Sequence, residues 1–229
     1  MMLSNRLQAV KNLVSPCEVA ADIGCDHAYL AIELVKDHIA KRVIATDINA
    51  GPLKIAAEHI REAGLDNCIT TIQCDGITGI YADTIIICGM GGKLMLRILT
   101  DSLKELEHAT TLILQPQSEI AQFRNGLCEL GFEIVDEDFV IEDGKYYPMM
   151  KAQKGQMFLN DITATYGPVL LQKKHPDLKV FLKQQNAYLT DLLEELKRFS
   201  SEKSMKRIDQ IAEELQLNEK ALRLIETET

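Results

Sequence analysis

The chain has 229 residues, of which 46% are apolar and 26% are charged, and its formal net charge at pH 7 is -9. This length is enough to bury one good core with a small extension, and the acidic balance argues against a generally basic nucleic-acid-binding protein. There is no signal peptide and no run of about 18 apolar residues, and the six cysteines lack paired CxxC spacing. We therefore expect a soluble cytoplasmic protein with reduced thiols and without disulfides, metal or a membrane-spanning segment.

The strands and helices predicted over the first 155 residues alternate as in a parallel sheet wrapped by helices. Apolar β-rich runs predict strands over residues 18–24, 42–48, 70–75, 83–89 and 111–116. Helical patterns predict helices over residues 28–38, 51–63, 92–103 and 119–130. Two further strand-like runs, 132–142 and 145–153, are joined only by Asp143 and Gly144, and such an Asp-Gly link is a strong hairpin signal.

The rest of the chain has a different pattern. Apolar residues at three- and four-residue spacing predict one helix over residues 177–199 and a second over residues 206–225, joined by a link over residues 200–204. Two such helices would form an antiparallel hairpin. We therefore expect an α/β domain over residues 1–155 and a helical domain over residues 156–229.

Charge is distributed unevenly between these two parts. Residues 155–229 hold 11 Lys and Arg against 12 Asp and Glu, which leaves 14 against 22 for residues 1–154. Two basic clusters lie in the C-terminal part: Lys173, Lys174, His175, Lys179 and Lys183 in the first, and Lys197, Arg198, Lys203, Lys206 and Arg207 in the second. Each cluster alone is more typical of a solvated helix face than of a binding site.

The loop after the first predicted strand departs from the dinucleotide-binding pattern. That fingerprint uses three glycines to bring backbone amides to a pyrophosphate, but in AADIGCDHAYL, residues 20–30, Asp26 takes the place of the second glycine. Carboxylates at Asp22 and Asp26 around Gly24 suit a cationic ligand with an ammonium and a sulfonium, such as S-adenosylmethionine. The alternative for Asp26 is the N-cap of the following helix.

Two more predicted strands end in aspartate. Asp47 can accept hydrogen bonds from ribose hydroxyls, or it can cap the helix that follows. The carboxylate of Asp75 and a neighbouring amide can bind the adenine amino group and ring nitrogen, although Asp-Gly is also common in turns. Because the carboxyl ends of parallel strands meet at the ligand-binding edge of a sheet, we expect Asp22, Asp47 and Asp75 to share one site.

The fourth and fifth predicted strands end in IIICGMGG and LILQPQ. Gly89 either belongs to an ordinary turn or lets a flat base pass close to the backbone, with Met90 as an adaptable apolar contact. The amides of Gln115 and Gln117 either read the polar edge of a base or form the turn around Pro116.

The motifs DIGCDHAYL, CDG, GMGG and LQPQ, in that order, resemble those of bacterial tRNA (adenine 22-N1)-methyltransferases. The resemblance extends from LSNRL near the start to the C-terminal helices. It implies a class I (Rossmann-like) methyltransferase fold, with a mostly parallel sheet, a C-terminal antiparallel hairpin and an α-helical, coiled-coil-like C-terminal domain. It also implies transfer of the methyl group of S-adenosylmethionine to N1 of adenine 22 in tRNA. The cofactor-binding residues that we expect from it are Arg6, Asp22, Gly24, Asp26, His27, Asp47, Ile48, Asp75, Gly76, Gly89 and Met90.

Adenine N1 has a free lone pair, so no proton has to leave before it attacks a methyl group. We therefore assign His27 to the cofactor loop, and we expect catalysis by positioning and electrostatics. Asp26, Tyr29 and Gln117 are the candidate catalytic residues. Tyr29, Tyr146 and Tyr147 are also candidates for stacking on the target base, the alternative for each being a place in the core.

The expected partner is tRNA, bound by a monomer or weak dimer, with the basic clusters on its phosphates. Two other functions remain open from the residues alone. One is a class I methyltransferase acting on a small molecule or protein, and the other is a non-catalytic protein that binds both S-adenosylmethionine and RNA. A nicotinamide dehydrogenase is disfavoured because the phosphate-binding glycines are absent.

Overall fold

The computed structural model describes residues 3–198 and 202–227. The chain divides into two compact units, Met1–Phe158 and Leu159–Thr229. Within the described residues, no helix combines the length and the apolar character that crossing a membrane requires.

The first unit contains a seven-stranded sheet with helices. Its strands are β1 (Cys17–Ile23), β2 (Ala40–Asp47), β3 (Ile69–Gln73), β4 (Thr84–Met90), β5 (Thr111–Pro116), β6 (Phe132–Glu142) and β7 (Lys145–Lys154). Its helices are α1 (Asn5–Leu13), α2 (Tyr29–Lys36), α3 (Ala50–Glu62), α4 (Gly92–Asp101), α5 (Leu103–Leu106) and α6 (Ile120–Glu129).

The strand order is β3-β2-β1-β4-β5-β7-β6. Neighbours from β3 to β5 are parallel, whereas β7 pairs antiparallel with both β5 and β6. The central strands β1, β4 and β5 contain buried apolar runs, such as Ile85 to Ile87 in β4, as expected for a parallel sheet covered on both faces. The predicted sheet and its terminal hairpin are confirmed, each strand within about three residues of its predicted bounds.

The hairpin turn follows from its two residues. Asp143 and Gly144 have φ values of 51° and 70°, the pair of positive φ values that a two-residue type I′ turn requires. Glycine adopts such a φ without strain, and aspartate is among the residues that tolerate it best.

Helix α1 packs on this hairpin although it lies far from it in sequence. The Ser4 hydroxyl caps the helix by accepting from Leu7 N. Glu142 Oε1 accepts from the backbone N of Asn5 at 2.7 Å and from that of Arg6 at 3.4 Å. A carboxylate is favourable at a helix N-terminus because the first amides have no partner within the helix. The sequence pattern had not predicted this helix.

The second unit is helical, with α7 (Asp161–Tyr166), α8 (Pro168–Gln172), α9 (Pro176–Leu196) and α10 (Glu202–Glu226). Leu182 and Leu189 of α9 are buried, as are Ile211 and Ala221 of α10. A seven-residue separation puts Leu182 and Leu189 on one face of α9, and a fourteen-residue separation does the same for Ile211 and the buried Ile225 of α10. The two long predicted helices are confirmed.

The link between the two long helices is shorter than predicted. Helix α10 already includes residues 202–204, and Ser204 is buried within it. The apolar pattern of the second helix had been followed only from residue 206, but serine is tolerated in a helix. Residues 200 and 201 of the predicted link, together with residue 199 at the end of the predicted helix before it, lie outside the described part of the chain.

Candidate functional site

A cavity of about 550 Å³ opens at the carboxyl ends of the parallel strands. All the predicted cofactor-binding and catalytic residues line it: Arg6, Asp22, Gly24, Asp26, His27, Tyr29, Asp47, Ile48, Asp75, Gly76, Gly89, Met90 and Gln117. They come from α1 and from the ends of five strands. The parallel sheet brings them together because its strand ends meet along one edge.

Asp22 is the most strongly perturbed acid at this edge. It is the penultimate residue of β1, and only 5% of it is exposed. Burial raises the pKa of this carboxyl from 3.8 to about 7, because a carboxylate loses its hydration in a low-dielectric site. Among the described residues, no side chain or backbone group hydrogen-bonds or ion-pairs with it. The cavity therefore presents a carboxylate that lacks a cation.

Arg6 of α1 supplies a positive charge to the same cavity. Its Nη1 donates to Gln115 Oε1 at 3.0 Å, and its guanidinium lies 5.5 Å from the ring centroid of Tyr147. The same Gln115 oxygen accepts from Gly89 N at 3.1 Å. Gln115 itself is fully buried and does not line the cavity, so of the two glutamines around Pro116, only Gln117 faces the ligand space.

The loop between β1 and α2 has an irregular backbone. Gly24, Asp26 and Ala28 have φ values of 73°, 52° and 60°. A Cβ at Gly24 would collide with Met90 Cε, so glycine meets both the backbone and the space requirement here. Helix α2 begins only at Tyr29, with Ala28 at its N-cap. The alternative interpretation of Asp26 as the N-cap is therefore wrong, and its exposed carboxylate stands at the cavity rim.

Three aromatic rings cluster beside this loop. Tyr29 stacks on His59 with centroids 5.1 Å apart and planes 19° apart, and His27 meets both rings edge on. His59 Nδ1 lies 3.0 Å from His27 O. His27 Nε2 is 3.5 Å from Asp26 Oδ1. Tyr29 is half-buried at the cavity wall, so its place is at the rim rather than in the core.

The ends of β2 and β3 form the next wall. Asp47 Oδ1 accepts from Asn49 N at 2.8 Å, and Asn49 rather than Asp47 is the N-cap of α3. The capping alternative for Asp47 is therefore wrong. Ile48 is 57% exposed, which leaves an apolar face on the cavity. The exposed Asp75 lies at the turn after β3, beside Gly76.

The end of β4 is distorted where it reaches the cavity. The β4–β5 register shifts between Cys88 and Met90, and Gly89 at the shift has a φ of 77°. Gln117 N donates to Met90 O at 2.9 Å, which ties the rim of β5 to this bulge. Bulges of this kind re-aim side chains next to functional sites.

Some cavity residues had not been predicted. Leu94, Arg97 and Ile98 of α4 also line the cavity. Their three- and four-residue spacing places them on one helix face, but the sequence pattern does not say which face of α4 turns to the cavity.

Two predicted stacking residues lie elsewhere: Tyr147 is beneath Arg6, and Tyr146 stacks on Phe139 with centroids 6.1 Å apart. Neither tyrosine lines the cavity.

The donor set fits S-adenosylmethionine. The unpaired carboxylate of Asp22 suits the ligand's ammonium, and the guanidinium of Arg6 suits its carboxylate. Oδ2 of Asp47, unlike Oδ1, makes no hydrogen bond with a described residue, and an acceptor of this kind suits ribose hydroxyls. Across the described residues, no group of three or more His, Cys, Asp or Glu side chains is placed to hold a metal ion.

Comparison with known proteins gives a consistent result. The family model for tRNA (adenine(22)-N(1))-methyltransferase (TrmK) matches residues 20–220. The curated tRNA (adenine(22)-N(1))-methyltransferase of Bacillus subtilis (strain 168) is 33% identical, over 94% of each chain.

Solved structures agree with this match. Streptococcus pneumoniae Sp1610 in complex with S-adenosyl-L-methionine has a TM-score of 0.85 and 31% identity, covering 96% of this chain and 100% of that one. M. capricolum TrmK in complex with S-adenosyl-homocysteine has a TM-score of 0.84 and 27% identity, covering 98% and 100%. The class I, Rossmann-like methyltransferase fold that the motifs implied is confirmed.

Proposed function

The chain belongs to the tRNA (adenine(22)-N(1))-methyltransferase family and is an S-adenosylmethionine-dependent enzyme; we propose that it uses the cavity at the sheet edge to methylate N1 of adenine 22 in tRNA. The observation that carries this proposal is the presence of one negatively and one positively charged side chain in the same cavity. Asp22 is a buried carboxylate without a cationic partner among the described residues, and Arg6 is a guanidinium that Gln115 holds in the same cavity.

These charges orient the amino-acid end of the cofactor. Asp22 receives the ammonium and Arg6 the carboxylate, each through charge-assisted hydrogen bonds. Asp47 accepts from the ribose, and Ile48 offers an apolar face to the adenine. Asp75 and the backbone beside Gly76 receive the polar edge of that base. Gly24 lets the backbone come close because it carries no Cβ.

When bound, S-adenosylmethionine supplies a methyl group on a positively charged sulfur. The adenine N1 lone pair forms the new N–C bond while the C–S bond breaks, and the positive charge passes from sulfur to the base. No proton is transferred in this step, so no general base is needed. The work of the protein is to align the two reactants and to stabilise the charge on the base.

Three residues are placed for that work at the rim of the cavity. The exposed carboxylate of Asp26 stands where it favours a cationic base. Tyr29, fixed by its stack on His59, offers an aromatic surface for a base removed from the tRNA structure. The amide of Gln117 lies beside Gly89: a Cβ atom added to this glycine would be 3.7 Å from Gln117 Nε2. This places Gln117 beside the bulge of β4.

The test is methyl transfer from labelled S-adenosylmethionine to tRNA transcripts that carry adenine or guanine at position 22, followed by nucleoside analysis. We expect 1-methyladenosine in the adenine transcript alone. Its presence in both would place the reaction at another adenine. Its absence from both, while S-adenosylhomocysteine still binds, would refute the proposed substrate.

We also propose that the second unit binds tRNA phosphates, mainly through Lys197 and Arg198. In the first basic cluster, Lys179 and Lys183 both pair with Glu226, at 3.2 Å and 3.0 Å. By contrast, Lys197 and Arg198 are exposed and form no ion pair with any described residue. Cations that are not already compensated release more counterions from RNA.

Two double variants separate these clusters. Lys197→Ala/Arg198→Ala should weaken tRNA binding and lower the slope of log affinity against log salt by about 2, because two phosphate contacts are lost. Lys179→Ala/Lys183→Ala should change both less, since Glu226 already offsets those charges. Filter binding across a salt series measures both quantities. Equal effects of the two variants, or none, would contradict the assignment.

A further inference from the structure

We propose that Gln115 is a positioning residue for cofactor recognition, because one buried amide oxygen fixes both Arg6 and the β4 bulge beside the reacting end of the cavity. This inference rests on the proposed function, since it takes Arg6 as the group that receives the cofactor carboxylate. It assigns a role to a side chain that does not itself line the cavity.

The side-chain amide of Gln115 makes hydrogen bonds through both its oxygen and its nitrogen. Its Oε1 accepts from Arg6 Nη1 at 3.0 Å and from Gly89 N at 3.1 Å. Its Nε2 donates to Pro116 O at 3.2 Å. A side-chain amide oxygen has two lone pairs, and both are used here. Because Gln115 is fully buried, no water can take over these hydrogen bonds without opening the site.

The other contacts of Arg6 do not fix the orientation of its guanidinium group. The backbone of Arg6 is held near Glu142, and its guanidinium lies over Tyr147. A ring face fixes the distance of a cation but not the direction of its N–H groups. Gln115 supplies that direction, because a hydrogen bond to one nitrogen orients the planar guanidinium. A carboxylate can then be met by the remaining donors without further ordering of the side chain.

Loss of the Gln115 oxygen should therefore weaken binding of the amino-acid end of the ligand more than binding of its nucleoside end. Gln115→Met keeps the length and volume of the side chain and removes the acceptor. S-adenosylhomocysteine has the amino-acid end that Arg6 would receive, whereas 5′-methylthioadenosine shares the adenine, ribose and thioether but lacks that end. The ratio of their Kd values thus reports on Arg6, and a partly unfolded fraction in the sample leaves this ratio unchanged.

We expect wild-type protein to prefer S-adenosylhomocysteine by calorimetric titration, and Gln115→Met to reduce that preference about tenfold, the effect of about 1.4 kcal/mol. Arg6→Met should reduce it at least as much, and the double variant no further than Arg6→Met alone. Gln153→Met, a half-buried glutamine of β7 outside the cavity, is the control and should leave the preference intact.

The possible outcomes distinguish the role of Arg6 from the role of Gln115. A wild-type protein without any preference would refute the role of Arg6, and with it this part of the proposed function. A wild-type preference that Gln115→Met retains, or additive effects in the double variant, would refute the role of Gln115 alone. If Gln115→Met does not fold, Gln115→Glu takes its place: its carboxylate would compete for Arg6, and a retained preference would again overturn the proposal.

Discussion

Replacement of Asp22 by asparagine tests the electrostatic account of the cavity. Asparagine has nearly the same shape as aspartate but stays uncharged at every pH. In the free enzyme, ionised Asp22 is buried without a cation, so its removal should stabilise the fold. In the complex, the same change should remove the partner of the cofactor ammonium. A stabilised protein that binds its cofactor poorly is the signature that we expect.

The magnitude follows from the pKa. The carboxyl titrates at about 7 in the folded chain against an ordinary value of 3.8. Each pH unit between these values costs the folded state about 1.4 kcal/mol, so stability is fully present below the lower pKa and falls as pH rises to the higher one. Wild type and Asp22→Asn share every other titrating group, which leaves only this difference between them.

The assay is urea unfolding of both proteins at about pH 5 and about pH 8. The advantage of Asp22→Asn in unfolding free energy should grow by about 3 kcal/mol over that interval, since two pH units of it lie below the folded pKa. Wild-type affinity for S-adenosylhomocysteine should rise about tenfold from about pH 5.5 to about pH 7 as Asp22 ionises. The variant should bind weakly without that rise.

One result would refute this reasoning. If the stability difference between wild type and Asp22→Asn is the same at both pH values, Asp22 does not change its protonation in that range. The carboxylate would then be stabilised in a way that the described neighbours of Asp22 do not provide.

Two further variants test the loop after β1. Gly24→Ala should lower the unfolding free energy by about 1–2 kcal/mol because of the positive φ at this position, and it should also weaken cofactor binding by displacing Met90. The control is Gly64→Ala, where φ is a similar 69° but the space around the residue is open, so that it should lose stability without losing affinity. Urea unfolding and calorimetric titration measure the two effects, and equal binding by both variants would argue against the contact with Met90. Asp26→Asn keeps a residue that tolerates the left-handed region, and it should lower the single-turnover methylation rate about tenfold while leaving the Kd for S-adenosylhomocysteine unchanged; an unchanged rate would remove Asp26 from catalysis.

The sheet and the residues on its rim could be predicted because their signals are local. A buried parallel strand is an apolar run, and the residue after it lies at the ligand edge whatever the rest of the chain does. Asp22, Asp47 and Asp75 were therefore found from three short stretches of sequence. The Asp143-Gly144 turn is equally local, because its two positive φ values restrict the residues that fit.

The parts that sequence could not supply depend on distant contacts. Helix α1 is short, and its N-terminus is held by Glu142, more than 130 positions away along the chain. Gln115 and Gln117 are the same residue type two positions apart, and only the departure of the chain from β5 after Pro116 decides which one reaches the cavity. The left-handed φ of Ala28 delays the start of α2, and alanine gives no sign of such a conformation.

The attachment of α1 to the hairpin has a consequence for the order of events during synthesis. Arg6 is translated among the first residues of this sequence, but Glu142 and Gln115, which hold its backbone and its head group, follow more than 100 codons later. Domains form as units while the chain emerges, so the nascent first unit cannot present a complete cofactor cavity until β6 has left the ribosome. A ribosome-stalled fragment that ends before β6 would carry all three strand-end aspartates and Arg6 itself, but it would lack the Glu142 carboxylate that holds the N-terminus of α1.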